Sequence, residues 1–228
     1  MLEGYEGQIL HGTISTIVLA LSSLVVAFLL GMLTAVAKVF GNRFFKFIAT
    51  LYTTLIRSVP DLVLMLLIFF GIQILLNSIT DAIGVDQIDL NPFVTGVLTI
   101  GFVYGAFFGE TFRGAFLAVP KGQYEASIAY GLSQHRTMWH IMFPQMMRYA
   151  LPGVGNNWLI VLKATALVSI LGLQDLVLVT QEAGRATQKM FLFIFVAGVI
   201  YLLLTTISNI FLYWLERRYS AGIKEVDI

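Results

Sequence analysis

Apolar residues in this chain come in runs too long for the exposed helices of a soluble protein. A membrane-spanning helix needs about 20 largely apolar residues. Five stretches meet that measure: residues 13–37, 47–76, 91–112, 149–171 and 190–214. Arg57 and Asp61 interrupt the second, Glu110 lies near the end of the third, and Lys163 interrupts the fourth. The pattern predicts an all-α integral membrane protein with five transmembrane helices in a single domain, residues 1–228. An odd number of spans puts the termini on opposite sides.

Composition narrows the class. The chain is 58% hydrophobic and 12% charged, where a soluble domain carries about 25% charged residues. A soluble enzyme and a disordered chain are both excluded. The absence of cysteine excludes a disulfide scaffold, and a net charge of +1 gives no basic surface for nucleic acid.

The basic residues also orient the spans. Lys38, Arg43 and Lys46 fall in loop 38–46, Lys121, Arg136 and Arg148 in loop 118–148, and Arg217, Arg218 and Lys224 in the C-terminal tail. Residues 1–12 and 77–92 have no Lys or Arg, and the latter carries Asp81, Asp86 and Asp89. Only Arg185 and Lys189, before the last span, fall on that side. The positive-inside rule then predicts an external N-terminus and a cytoplasmic 118–148 loop. The first span has no basic leader and is too long for a signal peptide, so it reads as a retained helix.

Charges at membrane depth cost about 2.5–3.5 kcal/mol at a helix centre, which makes them candidates for function. Arg57 and Asp61 are four apart around Pro60 and share a helix face. They suit either an ion pair that pins a kink or a substrate-facing site. Glu110 and Arg113 read as a snorkelling pair at the interface. Lys163 either lines a pathway or pairs with a carboxylate of this or another subunit.

Loop 118–148 has no phosphate-binding G-x-x-x-x-G-K-[ST] or G-x-G-x-x-G run, no Cys/His metal cluster and no nucleophile–base pair. No enzyme activity, metal or cofactor is expected of this chain, and His135 and His140 read as solvated. Good helix formers at Glu125–Tyr130 precede Gly131, a natural helix stop. Pro144 suggests a turn. The spacing predicts a short helix, a break and a second short helix at the inner membrane surface. Such an element either docks on a partner or folds back on the bundle.

Glu125-Ala126-Ser127, Gly131 and Ile141-x-Phe143-Pro144 resemble the E-A-A, G, I-x-L-P signature of permease subunits of bacterial ABC importers, with Ser127 and Phe143 as replacements. Leu55–Leu62 resembles the I-R-G-T-P-x-L run of the polar amino acid branch, with Ser58 and Val59 in place of Gly and Thr. Phe112–Ala115 and Val119–Gln123 fit the same branch. Met142–Gly153 is similar to Q-type permeases of histidine and lysine/arginine/ornithine importers.

The resemblance implies a type I ABC importer permease fold in the bacterial inner membrane, working by alternating access. It implies a second homologous permease in a heterodimer, two copies of an ATPase that hold ATP and Mg, and a periplasmic amino-acid-binding protein. Glu125, Ala126, Ser127, Gly131, Ile141 and Pro144 would couple to the ATPase. Arg57, Ser58, Asp61, Asn157, Lys163, Ala164, Thr165 and Ser169 would border the substrate pathway. The substrates would be polar, chiefly basic, amino acids: histidine, arginine, lysine and ornithine.

One departure stands out against that family. Homodimeric permeases for basic amino acids carry Glu and Asp where this chain has Asn157 and Ala164, seven apart and so on one helix face. Either a partner supplies the acidic half of the site or the substrate is not cationic. The rival classes are an ion-coupled secondary amino acid transporter, using Glu110 or Lys163, and a channel or scaffold. The chain lacks the internal repeat of the first and the charged rings or filter loop of a channel.

Overall fold

A computed structural model describes residues 2, 4–87 and 89–220; Lys224 of the basic tail lies outside them. The first helix, α1, runs Glu6–Phe40 and stops at Gly41, which is extended. Asn42 opens α2 (Arg43–Ser58) by accepting a 3.0 Å hydrogen bond from the Phe45 amide. A separate α3 follows over Asp61–Ile83.

The single span expected over 47–76 is therefore two helices. Pro60 has no amide to continue the ladder, and Val59 before it is forced into extended geometry at φ −111°, ψ 141°. The α4 helix (Pro92–Ala118) starts with proline in its first turn, capped by Asn91.

In residues 118–148 the short helix and the break after it appear as expected, but the second helix does not stay short. The α5 helix spans Lys121–Ala129, and α6 begins at Gln134. No turn follows at Pro144. The chain passes from α6 (Gln134–Thr137) through a π-helical turn, Met138–Met142, into α7 (Phe143–Ala164). A proline inside a helix removes one hydrogen bond and crowds the preceding turn. The wider π turn just before Pro144 takes up that mismatch. A 3₁₀ segment, Thr165–Leu171, extends α7. Last come α8 (Leu176–Ala186) and α9 (Met190–Ser220).

Among the described residues, five helical stretches are long and apolar enough to cross a membrane: Glu6–Phe40, Asp61–Ile83, Pro92–Ala118, Gln134–Leu171 and Met190–Tyr219. The shorter α2 is amphipathic, with a polar stripe through Lys46, Thr50, Thr53, Thr54 and Arg57.

The bundle is built around α1 and α4. In lipid the hydrophobic effect does not drive helices together, so close backbone approach through small residues does. Gly101, Gly105 and Gly109 recur every four residues on α4 and face Val26, Leu30 and Thr34 of α1. A Cβ on Gly105 would lie 2.9 Å from the Leu30 Cβ, and one on Gly109 would lie 2.9 Å from the Thr34 Cγ2. Phe28 packs edge-on to Phe112 with ring centroids 4.9 Å apart. A second buried cluster joins Ile9 of α1 to Leu176 and Val179 of α8 and Phe193 of α9.

Candidate functional site

Three regions carry the residues singled out above. The first is α5 and its junction with α6. Glu125 and Ala126 are exposed on α5, while Ser127 is buried. The helix ends in a Schellman motif: the Gly131 amide donates to the Ile128 carbonyl at 2.9 Å, and the Leu132 amide to the Ser127 carbonyl at 3.1 Å. Gly131 has φ +79°, a conformation glycine adopts without strain. Ser127 Oγ lies 3.0 Å from Thr137 Oγ1 and holds α5 against α6.

Ile141 is half-buried and Pro144 exposed, both in the continuous α6–α7 helix. Tyr130 is 87% exposed at the α5 tip. His135 and His140 are exposed too. The signature residues thus form a rigid helical hairpin with an exposed outer face.

The second region is a polar cavity of about 710 Å³ bounded by α1, α2 and α4. Its lining includes Lys38, Lys46, Arg57, Ser58, Glu110 and Arg113. Glu110 and Arg113 pair at 2.8 Å, as their spacing suggested, and Lys38 takes the other Glu110 oxygen and also donates to Thr53. Arg57 and Asp61 do not form an ion pair. Instead the Arg57 guanidinium lies over the Phe107 ring, 5.4 Å from its centroid, and Asp61 accepts a 2.6 Å hydrogen bond from the Tyr104 hydroxyl. The chain break at Pro60 separates their two helices, so four-residue spacing no longer puts them on one face.

Sequence reasoning missed Lys46, Thr50, Thr53 and Thr54 in this cavity. The signal was present as polar residues recurring every three or four positions along α2, but it is masked when the segment is judged only by the length of its apolar run.

The third region is the end of α7. Asn157 is buried and donates to Thr111 Oγ1 at 3.0 Å. Ala164 is buried as well. Thr165 bonds the Leu162 carbonyl and meets the Tyr201 hydroxyl at 3.3 Å, and Ser169 donates to the Ala166 carbonyl. Lys163 is exposed and has no ion-pair partner among the described residues. A pairing within this chain is thereby corrected.

Comparison with known proteins then settles the family. The sequence profile described as "Binding-protein-dependent transport system inner membrane component" matches residues 27–221. The chain belongs to that family. This inner-membrane component is 59% identical over 228 residues, all of both chains, to the histidine/lysine/arginine/ornithine transport system permease protein HisQ of Salmonella typhimurium. It is 35% identical over 216 residues to the arginine ABC transporter permease protein ArtQ of Escherichia coli, covering 89% of this chain and 91% of that one.

Among solved structures, an amino acid ABC transporter with histidines superposes with a TM-score of 0.80 at 28% identity, over 94% of this chain and 95% of that one. The MetNI methionine ABC transporter matches at 0.73 and 15% identity, over 92% and 95%, and shares the fold.

The inner-membrane component is therefore a multi-pass transport subunit with the type I permease fold, and it is not an enzyme. ATP hydrolysis belongs to a separate subunit of such a system.

Proposed function

We propose that this chain is the membrane-spanning subunit of an ATP-driven importer of polar, chiefly basic, amino acids that works by alternating access. The observation that carries this reading is the identity of 59% to the histidine/lysine/arginine/ornithine permease over all 228 residues. The N-terminus is external and α5 cytoplasmic, in keeping with the bias of basic residues. A second homologous permease completes the pathway. Two copies of an ATPase hold ATP and Mg, and a periplasmic amino-acid-binding protein delivers the substrate.

The α5 hairpin is the coupling element. Glu125 and Ala126 meet the ATPase, while Ser127 and Gly131 keep the helix rigid so that closure of the ATPase dimer moves α7 through Ile141 and Pro144. Rigidity matters because a frayed helix would absorb the displacement.

Arg57, Ser58, Asp61 and Lys163 border the pathway, and Asn157, Ala164, Thr165 and Ser169 shape its wall from buried positions. Neither Asn157 nor Ala164 offers a carboxylate, so the second permease supplies the acidic half of the site for a cationic side chain. Exposed at membrane depth, Lys163 needs protein or water beside it, and it faces the second permease across the pathway.

The test is reconstitution of the full complex in liposomes with its binding protein. ATP hydrolysis stimulated by binding protein loaded with histidine, arginine or lysine, and less by glutamine, is the expected result. A chain that transports alone under an ion gradient, with no ATPase in the purified complex, overturns the reading.

A further inference from the structure

We infer that the cavity between α1, α2 and α4 is a carboxylate-binding vestibule, which takes the α-carboxylate of the transported amino acid and leaves its side chain unread. The inference rests on the importer reading above. Four cations, Lys38, Lys46, Arg57 and Arg113, line the cavity with one carboxylate, Glu110. Both oxygens of Glu110 are already engaged, one by Lys38 and one by Arg113. The positive charge of Lys46 and Arg57 is left without an anion in the cavity wall.

Lys46 and Arg57 are exposed to the cavity, and no carboxylate of its wall answers their charge, so an anion that enters meets both. Arg57 is the best placed of the four to hold a carboxylate, since its planar guanidinium matches one with two hydrogen bonds. Its contact with Phe107 keeps the charge at the cavity wall. Hydroxyl groups of Thr50 and Thr54 add polar partners along the same face of α2, whereas the Ser58 hydroxyl already donates to the Thr54 carbonyl at 2.6 Å.

The lining favours an amino acid over an anionic lipid. A lipid headgroup bound here would need an apolar trough beside it for its acyl chains. Among the described residues, Phe107 is the one apolar member of the lining. The apolar face of α2, with Phe45, Ile48 and Ala49, lines a different groove with Leu30 and Leu33.

Charge also sets the direction of the bound molecule. A basic side chain is repelled by the same cations that hold the carboxylate, so a basic amino acid enters carboxylate first. The vestibule binds the part common to all amino acids and does not select for a basic side chain.

The experiment uses the complete importer in phosphatidylcholine nanodiscs, without nucleotide or binding protein. Equilibrium dialysis compares L-arginine with L-argininamide, which lacks the carboxylate charge. Wild type is expected to prefer L-arginine by about tenfold, the size of a charge-assisted hydrogen bond. The Lys46→Gln/Arg57→Gln double variant is expected to bind both within about twofold. Lys46→Gln alone, at an exposed position, should lower the preference part-way and keeps the test open if the double variant does not assemble.

A wild type without the preference, or a variant that keeps it, overturns the vestibule. So does native mass spectrometry in phosphatidylglycerol nanodiscs that finds a lipid lost from the variant while the L-arginine preference stays. If loaded binding protein stimulates ATP hydrolysis throughout, these failures leave the importer reading intact. Absence of any stimulation in wild type defeats that reading, and the vestibule with it.

Discussion

Ser127 Oγ and Thr137 Oγ1 lie 3.0 Å apart, and both side chains are buried. This contact joins the end of α5 to the start of the helix that becomes α7. Ser127→Val leaves the Thr137 hydroxyl buried without its partner, at a cost of about 1–3 kcal/mol. The expected outcome is faster proteolysis within residues 119–133 of the assembled complex, with membrane insertion unchanged. Removing both hydroxyls in Ser127→Ala/Thr137→Val should recover most of the protection, because no orphaned group remains.

Gly131 makes the sharper prediction about coupling. At φ +79° a β-branched residue is strained, by about 1–2 kcal/mol or more. Gly131→Val should unwind the cap of α5. Glu125→Lys changes the exposed face of the same helix without strain. Both variants should insert normally, lose ATP-driven uptake and retain less ATPase on affinity purification. Full uptake with normal ATPase recovery would remove α5 as the coupling element.

Gly105 tests the α1–α4 seam. A Cβ added there would lie 2.9 Å from both the Leu30 Cβ and the Tyr52 hydroxyl, whereas one added at Gly71 on α3 meets nothing within 4 Å. Gly105→Leu should sharply reduce the monodisperse protein recovered after detergent extraction, and Gly71→Leu should not. Size-exclusion profiles of the two variants make the comparison directly.

The five apolar helices and the α5 stop were legible in the sequence because both are local, although the second expected span runs through the break at Pro60. Apolar runs of about 20 residues have one outcome in lipid, and Gly131 ends a helix for a reason internal to the backbone. The long-range partners were not legible. Lys38 meets Glu110 from 72 positions away, and the Asn157 amide reaches Thr111 from 46. Nothing in the spacing of either pair announces it. The continuity of α6 and α7 was hidden for a different reason. Pro144 reads as a break, and only the π turn before it lets the helix pass.

Lys38 and Glu110 give a prediction about stability. Lys38 has only 8% of its side chain exposed and Glu110 19%. Glu110→Gln leaves a buried ammonium without its counter-charge, which costs about 3–5 kcal/mol. A clear drop in the melting temperature of the detergent-solubilised complex is expected. Lys38→Met/Glu110→Gln should recover part of the loss, since an apolar side chain in that position needs no anion.

Asp175 supplies a pH dependence outside the spans. It is fully buried at the start of α8, where its Oδ1 accepts from the Leu178 amide at 2.8 Å. Its Oδ2 has no hydrogen-bond partner among the described residues. Burial pushes its carboxyl up to about 6, from an ordinary value of about 3.9. A raised pKa means that folding favours the protonated form. Its stabilising contribution is complete below about pH 3.9 and is lost as pH rises through about 6. Asp175→Asn keeps the helix cap, because asparagine caps about as well as aspartate, and it removes the buried charge. The melting temperature of the variant should therefore gain on wild type between about pH 5 and pH 7.5. A constant difference across that range would mean that Asp175 does not titrate there.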